Sequence, residues 1–470
     1  MNKFLKRLAG FSFGPILGAM LSMIQAPILA RLMVEGAYGQ SGVFREMLLQ
    51  VPNFIYLGLD QAYTREYHRF ANKKQLLQQA VMLPLIVGLL LCAVMIAFAE
   101  PISLWLFKDA HYPHIVWLSS VWLFATIMER FLLLTIRMEE KAMEFSNYTL
   151  LLKINVFILS LVLVFAGVRD FQSAVYGLLI GQLLGDAVLF HHYRHFFDWR
   201  QFKVDWSLIH QMVLFGLPVM LAVSLTSVLT TMSSVFMNQY HSGHDLDVYT
   251  ATATIVSVLG ILKTSFASFW VPTAYRWYDE NKSMKHYQFI SDALLFVLTV
   301  FFFGLLLGKG AIVWLLGERY SQTPYIIGLL SFPHIMYTLS ETTTLGIVFS
   351  RKTYFNIIIS VLALIPSFAL NMWLTPQYSY KGAAAASCAA YITFYLARTY
   401  FSKRSGFYFS QKKAVGSILL MTVAAGVNAF EVPYVVLWTL LIGLICLGVQ
   451  FSTIRTGLSI RQNSAEWNFS

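Results

Sequence analysis

Four basic side chains, Arg45, Arg130, Lys153 and Lys263, interrupt stretches that are otherwise apolar and long enough to cross a bilayer. Insertion of Arg or Lys at the centre of such a helix is unfavourable by about 2.5–3.5 kcal/mol. Each one therefore calls for a water-filled cavity, a partner or a snorkelling route. Arg130 and Lys153 stand within two turns of the predicted cytoplasmic surface, where snorkelling or pairing with Glu129 competes with a cavity role. Arg45 adjoins Glu46, so an ion pair competes there. Lys263 lies in the inner half of its segment with no acid nearby in sequence, and it is the sharpest candidate for lining a wet cavity. The acids left inside apolar segments are Glu46, Asp60, Glu129, Asp186, Asp292 and Glu341. A buried carboxylate carries a proton or helps hold a sodium ion. Glu46, Asp60 and Glu341 are the candidates for such coupling, while Asp60, Glu129, Asp186 and Asp292 also lie where basic loops can meet them.

Spacing puts uncharged polar residues on the same faces. Gly42, Arg45, Leu49, Asn53, Tyr56 and Asp60 trace one face of a helix, and Ser224, Ser227, Thr231, Ser234 and Asn238 trace another. Ser257, Gly260, Thr264 and Ser268 form a small-polar stripe beside Lys263. Gln25, Asn53, Ser227, Thr231 and Asn238 are the polar residues expected to line a cavity. Close helix packing also favours small residues. That reading suits Gly10, Gly14, Gly18 and Ser22, a ladder carrying nothing charged.

The elements behind these faces follow from composition. Hydrophobic residues make up 57% of the 470-residue chain and charged residues 12%, with mean hydropathy +0.62. A soluble domain carries about 25% charged residues. The chain reads as an all-α polytopic membrane protein. About 14 spans fall near 11–30, 41–62, 78–99, 114–136, 147–167, 172–192, 212–237, 248–272, 288–308, 325–349, 354–374, 380–400, 413–430 and 434–454. Lys3, Lys6 and Arg7 precede the first apolar run without a convincing small-x-small cleavage site, so the run is kept as a helix. The net charge of +11 sits in short connectors rather than in a nucleic-acid-binding patch. With the N-terminus inside, 24 of the 34 basic residues fall on the cytoplasmic side. Only Arg31, Lys108, Arg169, Lys309, Arg319 and Lys381 fall in outer loops. Both termini are then cytoplasmic. Cys92, Cys388 and Cys446 lie in apolar segments and read as packing residues. No G-x-x-x-x-G-K-S/T loop exists, so the chain is no ATP-driven pump by itself. The loop histidines, His191, His192 and His195 among them, lack a plausible set of metal-ligand partners.

An internal repeat organises the spans. Ala62-Tyr63-Thr64-Arg65-Glu66-Tyr67 follows the second span and Ala274-Tyr275-Arg276-Trp277-Tyr278 follows the eighth. Tyr38 precedes Tyr63 by 25 residues and Tyr249 precedes Tyr275 by 26. Phe13-Gly14-Pro15 and Phe215-Gly216-Leu217-Pro218 open the first and seventh spans. Both halves enter the membrane in the same direction, so they read as parallel repeats related by a pseudo-twofold axis along the membrane normal. The expected divisions are a six-helix bundle over 1–195, a second over 196–402, and two further helices with a short cytoplasmic tail over 403–470. The stretch from Tyr193 to Gln211, with Trp199, Arg200, Lys203 and Trp206, is expected to link the halves at the interface.

The run Ala30-Arg31-Leu32-Met33, Ala37-Tyr38-Gly39, and Tyr56 through Tyr67 resembles the opening of the Wzx-type polysaccharide-biosynthesis flippases. These belong to the multidrug/oligosaccharidyl-lipid/polysaccharide exporter superfamily. Val248-Tyr249-Thr250-Ala251 and Phe269-Trp270-Val271-Pro272 with Tyr275 resemble the matching stretch of the second half. The resemblance implies a V-shaped pair of bundles around a central cavity. It implies an undecaprenyl-diphosphate-linked oligosaccharide as cargo, moved to the outer leaflet of a bacterial cytoplasmic (inner) membrane, with lipid, glycan-polymerase and glycosyltransferase partners and no nucleic acid. Related lipid II flippases use basic residues of the first, second and eighth helices on the diphosphate. Arg45 and Lys263 fall on the second and eighth, while the first offers Gln25 at depth and Arg31 at its outer end. The substrate set is thus Arg45, Lys263, Arg31 and Lys153, with no cofactor beyond a proton or sodium ion. A diphosphate brings about two negative charges, and basic groups in a wet cavity offset their desolvation. The competing reading is a cation-coupled multidrug exporter of the same superfamily. A membrane glycan polymerase, which would be an enzyme, lacks the large outer loop such chemistry uses.

Overall fold

The computed structural model describes residues 2–200, 202–350, 352 and 354–462, without the side chains of 2–12, 15, 268, 269 and 460–462. Lys3, Lys6, Arg7, Gly10, Pro15, Ser268 and Phe269, and two of the basic residues counted on the cytoplasmic side, Arg351 and Arg461, lie, wholly or in their side chains, outside the described residues. All regular elements among the described residues are helical. Two compact units form, residues 1–238 with 242–247 and residues 239–241 with 248–470.

The first unit holds α1 (Asn2–Leu32), α2 (Ala37–Ile55), α3 (Leu59–Glu66), α4 (Lys73–Ala97), α5 (Ala99–Phe107), α6 (Pro113–Met138), α7 (Ala142–Phe165), α8 (Phe171–His192) and α9 (Trp206–Tyr240). The next helix, α10 (His244–Val256), starts in the first unit and runs into the second. The second unit continues with α11 (Leu259–Asp279), α12 (Met284–Leu307), α13 (Lys309–Leu316), α14 (Thr323–Thr343), α15 (Leu345–Phe349), α16 (Phe355–Arg404), α17 (Lys412–Ala429), α18 (Val435–Val449) and α19 (Phe451–Gln462). Among the described residues eight helical runs are individually long and apolar enough to span a membrane, or nine if the bent pair α18–α19 is one span. Leu89 and Leu90 of α4 are 62% and 64% exposed, a cost in water that lipid removes. The protein is a multi-pass membrane protein.

Local chemistry sets the ends. Asn72 caps α4 by accepting from the Gln75 amide at 3.1 Å, and Asp170 caps α8 by accepting from Gln172 at 2.9 Å. Asp205 accepts from Leu208 at 3.0 Å and starts α9. The connector before it is anchored by two buried glutamines of α4. Gln78 donates to the carbonyls of Phe196 and Asp198, and Gln79 donates to that of Lys203. The Arg200 amide and the Lys74 ammonium hold the exposed Asp198 carboxyl below the usual carboxylate range.

Three breaks interrupt the helices: the first two fall inside expected spans, and the third falls between the expected spans 354–374 and 380–400. Between α2 and α3, Leu57 and Gly58 take positive φ values of 53° and 68°. The face drawn from Gly42 to Asp60 therefore ends at Tyr56, and Asp60 belongs to a separate short helix. Periodicity cannot register two left-handed residues. Between α10 and α11 the backbone stays right-handed but tightens, with Gly260 donating to Ser257 at 2.8 Å. Within α16, Ser379 leaves the helical region (φ 49°, ψ −131°), and a Cβ on Gly382 would lie 2.2 Å from the Leu374 carbonyl oxygen. Residues eight apart meet only if the chain turns back, so α16 is two antiparallel segments. The last helices bond into the second unit: Gln450 donates to Thr299 and Ser417, and Lys413 pairs with Asp292 at 2.7 Å.

Candidate functional site

In the first unit the two polar stripes meet each other. Asn53 of α2 donates to the Ser227 hydroxyl of α9 at 2.9 Å, and the Ser234 hydroxyl donates to the Glu46 carboxylate. Asn238 donates to the Leu106 carbonyl at 3.1 Å, and Thr231 donates back to the Ser227 carbonyl of its own helix. These groups are mutually satisfied, and they join α2 to α9 as firmly as they could line a cavity. Arg45 is half-buried on α2, Gln25 is half-buried on α1, and Arg31 is exposed at the end of α1. Lys153 is exposed and forms no hydrogen bond or ion pair among the described residues; its stem lies over Gly18, whose added Cβ would meet Lys153 Cγ at 3.0 Å. The ladder from Gly14 to Ser22 therefore does carry a charge beside it. It also packs closely, since the Gly14 amide donates to Ser146 of α7 at 3.0 Å.

Two pairings differ from expectation. Arg130 binds Asp60 at 2.8 Å rather than its neighbour Glu129, because successive residues of a helix point to different faces. Glu129 instead accepts from Gln182 of α8 at 2.6 Å. The expected packing role of the cysteines agrees with the burial of all three as free thiols.

Sequence reasoning missed the role of Asp247, the first unit's most enclosed carboxylate. It is fully buried and accepts from the amides of Gly36 (2.8 Å) and Gly39 (2.6 Å) at the start of α2. A helix N-terminus favours an anion there. In the repeat Asp247 matches Gly36, each lying two residues before its tyrosine, Tyr249 or Tyr38. Asp247→Ala leaves two amides without their acceptor, and hydrogen bonds to charged groups contribute about 1.5–3 kcal/mol each. A marked fall in unfolding temperature is expected, with Asp247→Asn intermediate, measured on the detergent-purified protein.

In the second unit the chemistry gathers on one tyrosine. Lys263 of α11 places its Nζ 3.4 Å from the ring centroid of Tyr337 on α14. Arg398 of α16 lies 5.0 Å from the same ring and 4.9 Å from that of Phe394. Its guanidinium also pairs with Glu341 at 3.0 Å and donates to the Ser340 hydroxyl at 2.8 Å. His334 lies one helical turn from Tyr337, its Nδ1 3.8 Å from a Cβ added on Gly260. Among the described residues no carboxylate stands within ion-pair distance of Lys263. Two cations thus share one aromatic ring; one charge is compensated by Glu341 and the other has no carboxylate within ion-pair distance among the described residues. Arg398 is one of the 24 basic residues expected on the cytoplasmic side, yet its side chain is 12% exposed and lies inside α16. Its position near a span end concealed that, and Tyr337 carried no signal among the chain's 24 tyrosines.

Glu341→Gln should destabilise the unit by about 3–5 kcal/mol, because it leaves the Arg398 charge buried without its partner. Adding Arg398→Gln should recover part of the loss. Thermal unfolding of both variants checks this coupling.

The fold is that of known membrane transporters. Among solved structures, the lipid II flippase MurJ in an inward closed conformation aligns with 96% of this chain and 99% of its own at a TM-score of 0.69 and 14% identity. An inward-facing multidrug resistance MATE transporter of the MOP superfamily aligns over 83% and 94% at 0.59 and 13%. A MOP transporter from Pyrococcus furiosus, described as having a binding pocket of reverse polarity, aligns over 85% and 96% at 0.53 and 11%. The sequence narrows this class: residues 6–277, more than half of the chain, match the family described as Polysaccharide biosynthesis protein, and the chain belongs to that family. A search of curated proteins by sequence finds no match.

Proposed function

We propose that the protein is a flippase for undecaprenyl-diphosphate-linked oligosaccharide, the repeat unit of an O-antigen, capsule or exopolysaccharide. It moves this cargo from the inner to the outer leaflet of the bacterial cytoplasmic membrane by alternating access. The observation that carries the reading is Lys263, a cation inside a membrane helix, seated on Tyr337 with no carboxylate partner. Family membership supports the cargo class, and a lipid-linked diphosphate supplies the anion that Lys263 lacks. In this reading Arg45 and Lys263 are the main diphosphate contacts, and Arg31 and Lys153 help draw the headgroup in. About 14 spans form two six-helix bundles in a V, followed by two further helices, with both termini cytoplasmic. The sugars meet hydroxyl and amide groups, and the polyprenyl chain stays in lipid.

The MATE-like fold keeps a multidrug exporter as the second reading. The uncompensated charge of Lys263 disfavours it, because a cationic drug would be repelled there. Expression in cells lacking their own repeat-unit flippase separates the two. Restored surface glycan without added drug resistance supports the proposal. Drug resistance without surface glycan overturns it.

A further inference from the structure

Asp186 of α8 is 1% exposed, and neither of its carboxyl oxygens has a hydrogen-bond partner. Glu129 of α6 has one oxygen occupied by Gln182, one turn before Asp186 on the same face of α8. Gln182 and Asp186 are four residues apart on α8, so Asp186 faces the same stretch of α6 as Glu129. On the α7 side, Gly185 lets the backbone of α8 close in, since an added Cβ would stand 2.6 Å from Leu152 Cδ2.

Among the described residues no cation forms an ion pair with either carboxyl. Arg130 on α6 is engaged with Asp60 of α3 at 2.8 Å. Lys153 on α7 forms no ion pair among the described residues and has Arg45 of α2 near it, and Tyr56 at the end of α2 lies beside the group. Two carboxylates buried in one site repel each other, and a bridging cation or a proton relieves that repulsion. A metal cation takes several oxygen ligands. Among the described residues no group of three or more His, Cys, Asp and Glu side chains is placed to hold one. A single proton meets the need: it turns one carboxyl into a donor and gives the other its missing partner.

We propose that Glu129 and Asp186 form a proton-binding site that holds one shared proton between α6 and α8. Release of that proton leaves a second negative charge beside Arg130 and Lys153. Assigning this proton to transport rests on the flippase reading above; the site itself does not.

The test is infrared difference spectroscopy of the full-length protein in lipid nanodiscs, titrated in sodium-free buffer. Wild type should show one protonated-carboxyl carbonyl band at neutral pH that shifts in D2O and disappears at high pH. Asp186→Asn and Glu129→Gln should each lose it, whereas Asp60→Asn should keep it. A missing wild-type band, or one that survives both substitutions, overturns the site. A band abolished by sodium at constant pH overturns the proton in favour of a metal cation. The wild-type measurement stands even where a variant fails to fold. Undiminished proton-driven transport by folded Asp186→Asn would overturn the coupling role alone, and a wild type that binds the proton but moves no lipid-linked oligosaccharide would overturn the flippase reading alone.

Discussion

Lys263→Ala is expected to cut translocation of lipid-linked oligosaccharide at least tenfold while leaving the protein folded. The two outcomes separate because Lys263 has no structural ion pair to lose. Its ammonium rests on the Tyr337 ring at 3.4 Å, a contact of about 0.5–2 kcal/mol. Arg398 on the same ring is committed to Glu341, so its loss would act first on stability. A hydrogen bond to a charged group contributes about 1.5–3 kcal/mol, which corresponds to roughly a tenfold to hundredfold change in binding. Lys263→Arg keeps the charge and should retain part of the activity. Tyr337→Leu removes the seat without the charge and should fall between wild type and Lys263→Ala. Initial rates at matched protein amounts, with monodispersity checked by size exclusion, measure the series.

Gly58→Ala is expected to abolish accumulation of folded protein. Gly58 sits at φ 68°, where a side chain costs about 1–2 kcal/mol, and its added Cβ would lie 2.1 Å from the Gly216 carbonyl oxygen. Backbone cannot move aside as a flexible side chain does, so α2, α3 and α9 would have to separate. The reverse contact is equally tight, with a Cβ on Gly216 reaching the Leu57 carbonyl oxygen at 2.5 Å. Gly426→Ala is the control, since nothing lies within 4 Å of its added Cβ. Yield and unfolding temperature of the two variants should diverge sharply; equal behaviour would show that the α2–α3 break is not fixed by this crossing.

The legible parts of the molecule were those that depend on hydropathy and local spacing. Long apolar runs predicted an all-helical membrane fold, and the Ser224–Asn238 spacing traced one face of α9, although it did not say that this face bonds to α2. The spacing from Gly42 to Asp60 failed at its end because Leu57 and Gly58 turn left-handed, a property without a period. The repeat was legible as a pattern, yet its tyrosines diverge: Tyr63 is fully buried and bonded to Thr135 at 2.7 Å, whereas Tyr275 is 45% exposed. Trp270, Trp277 and Tyr287 form the matching aromatic core of the second unit instead. Ion pairs were the least legible, because Asp60 with Arg130, Glu341 with Arg398, and Asp292 with Lys413 join helices far apart in sequence.

The central claim is that Lys263 serves an anionic, lipid-linked cargo. It is tested most directly in proteoliposomes by following the exposure of lipid-linked oligosaccharide to an external lectin. With wild-type protein the accessible fraction should rise with time, and with Lys263→Ala at least tenfold more slowly. No rise with wild-type protein, in vesicles that do accumulate an organic cation, would contradict it.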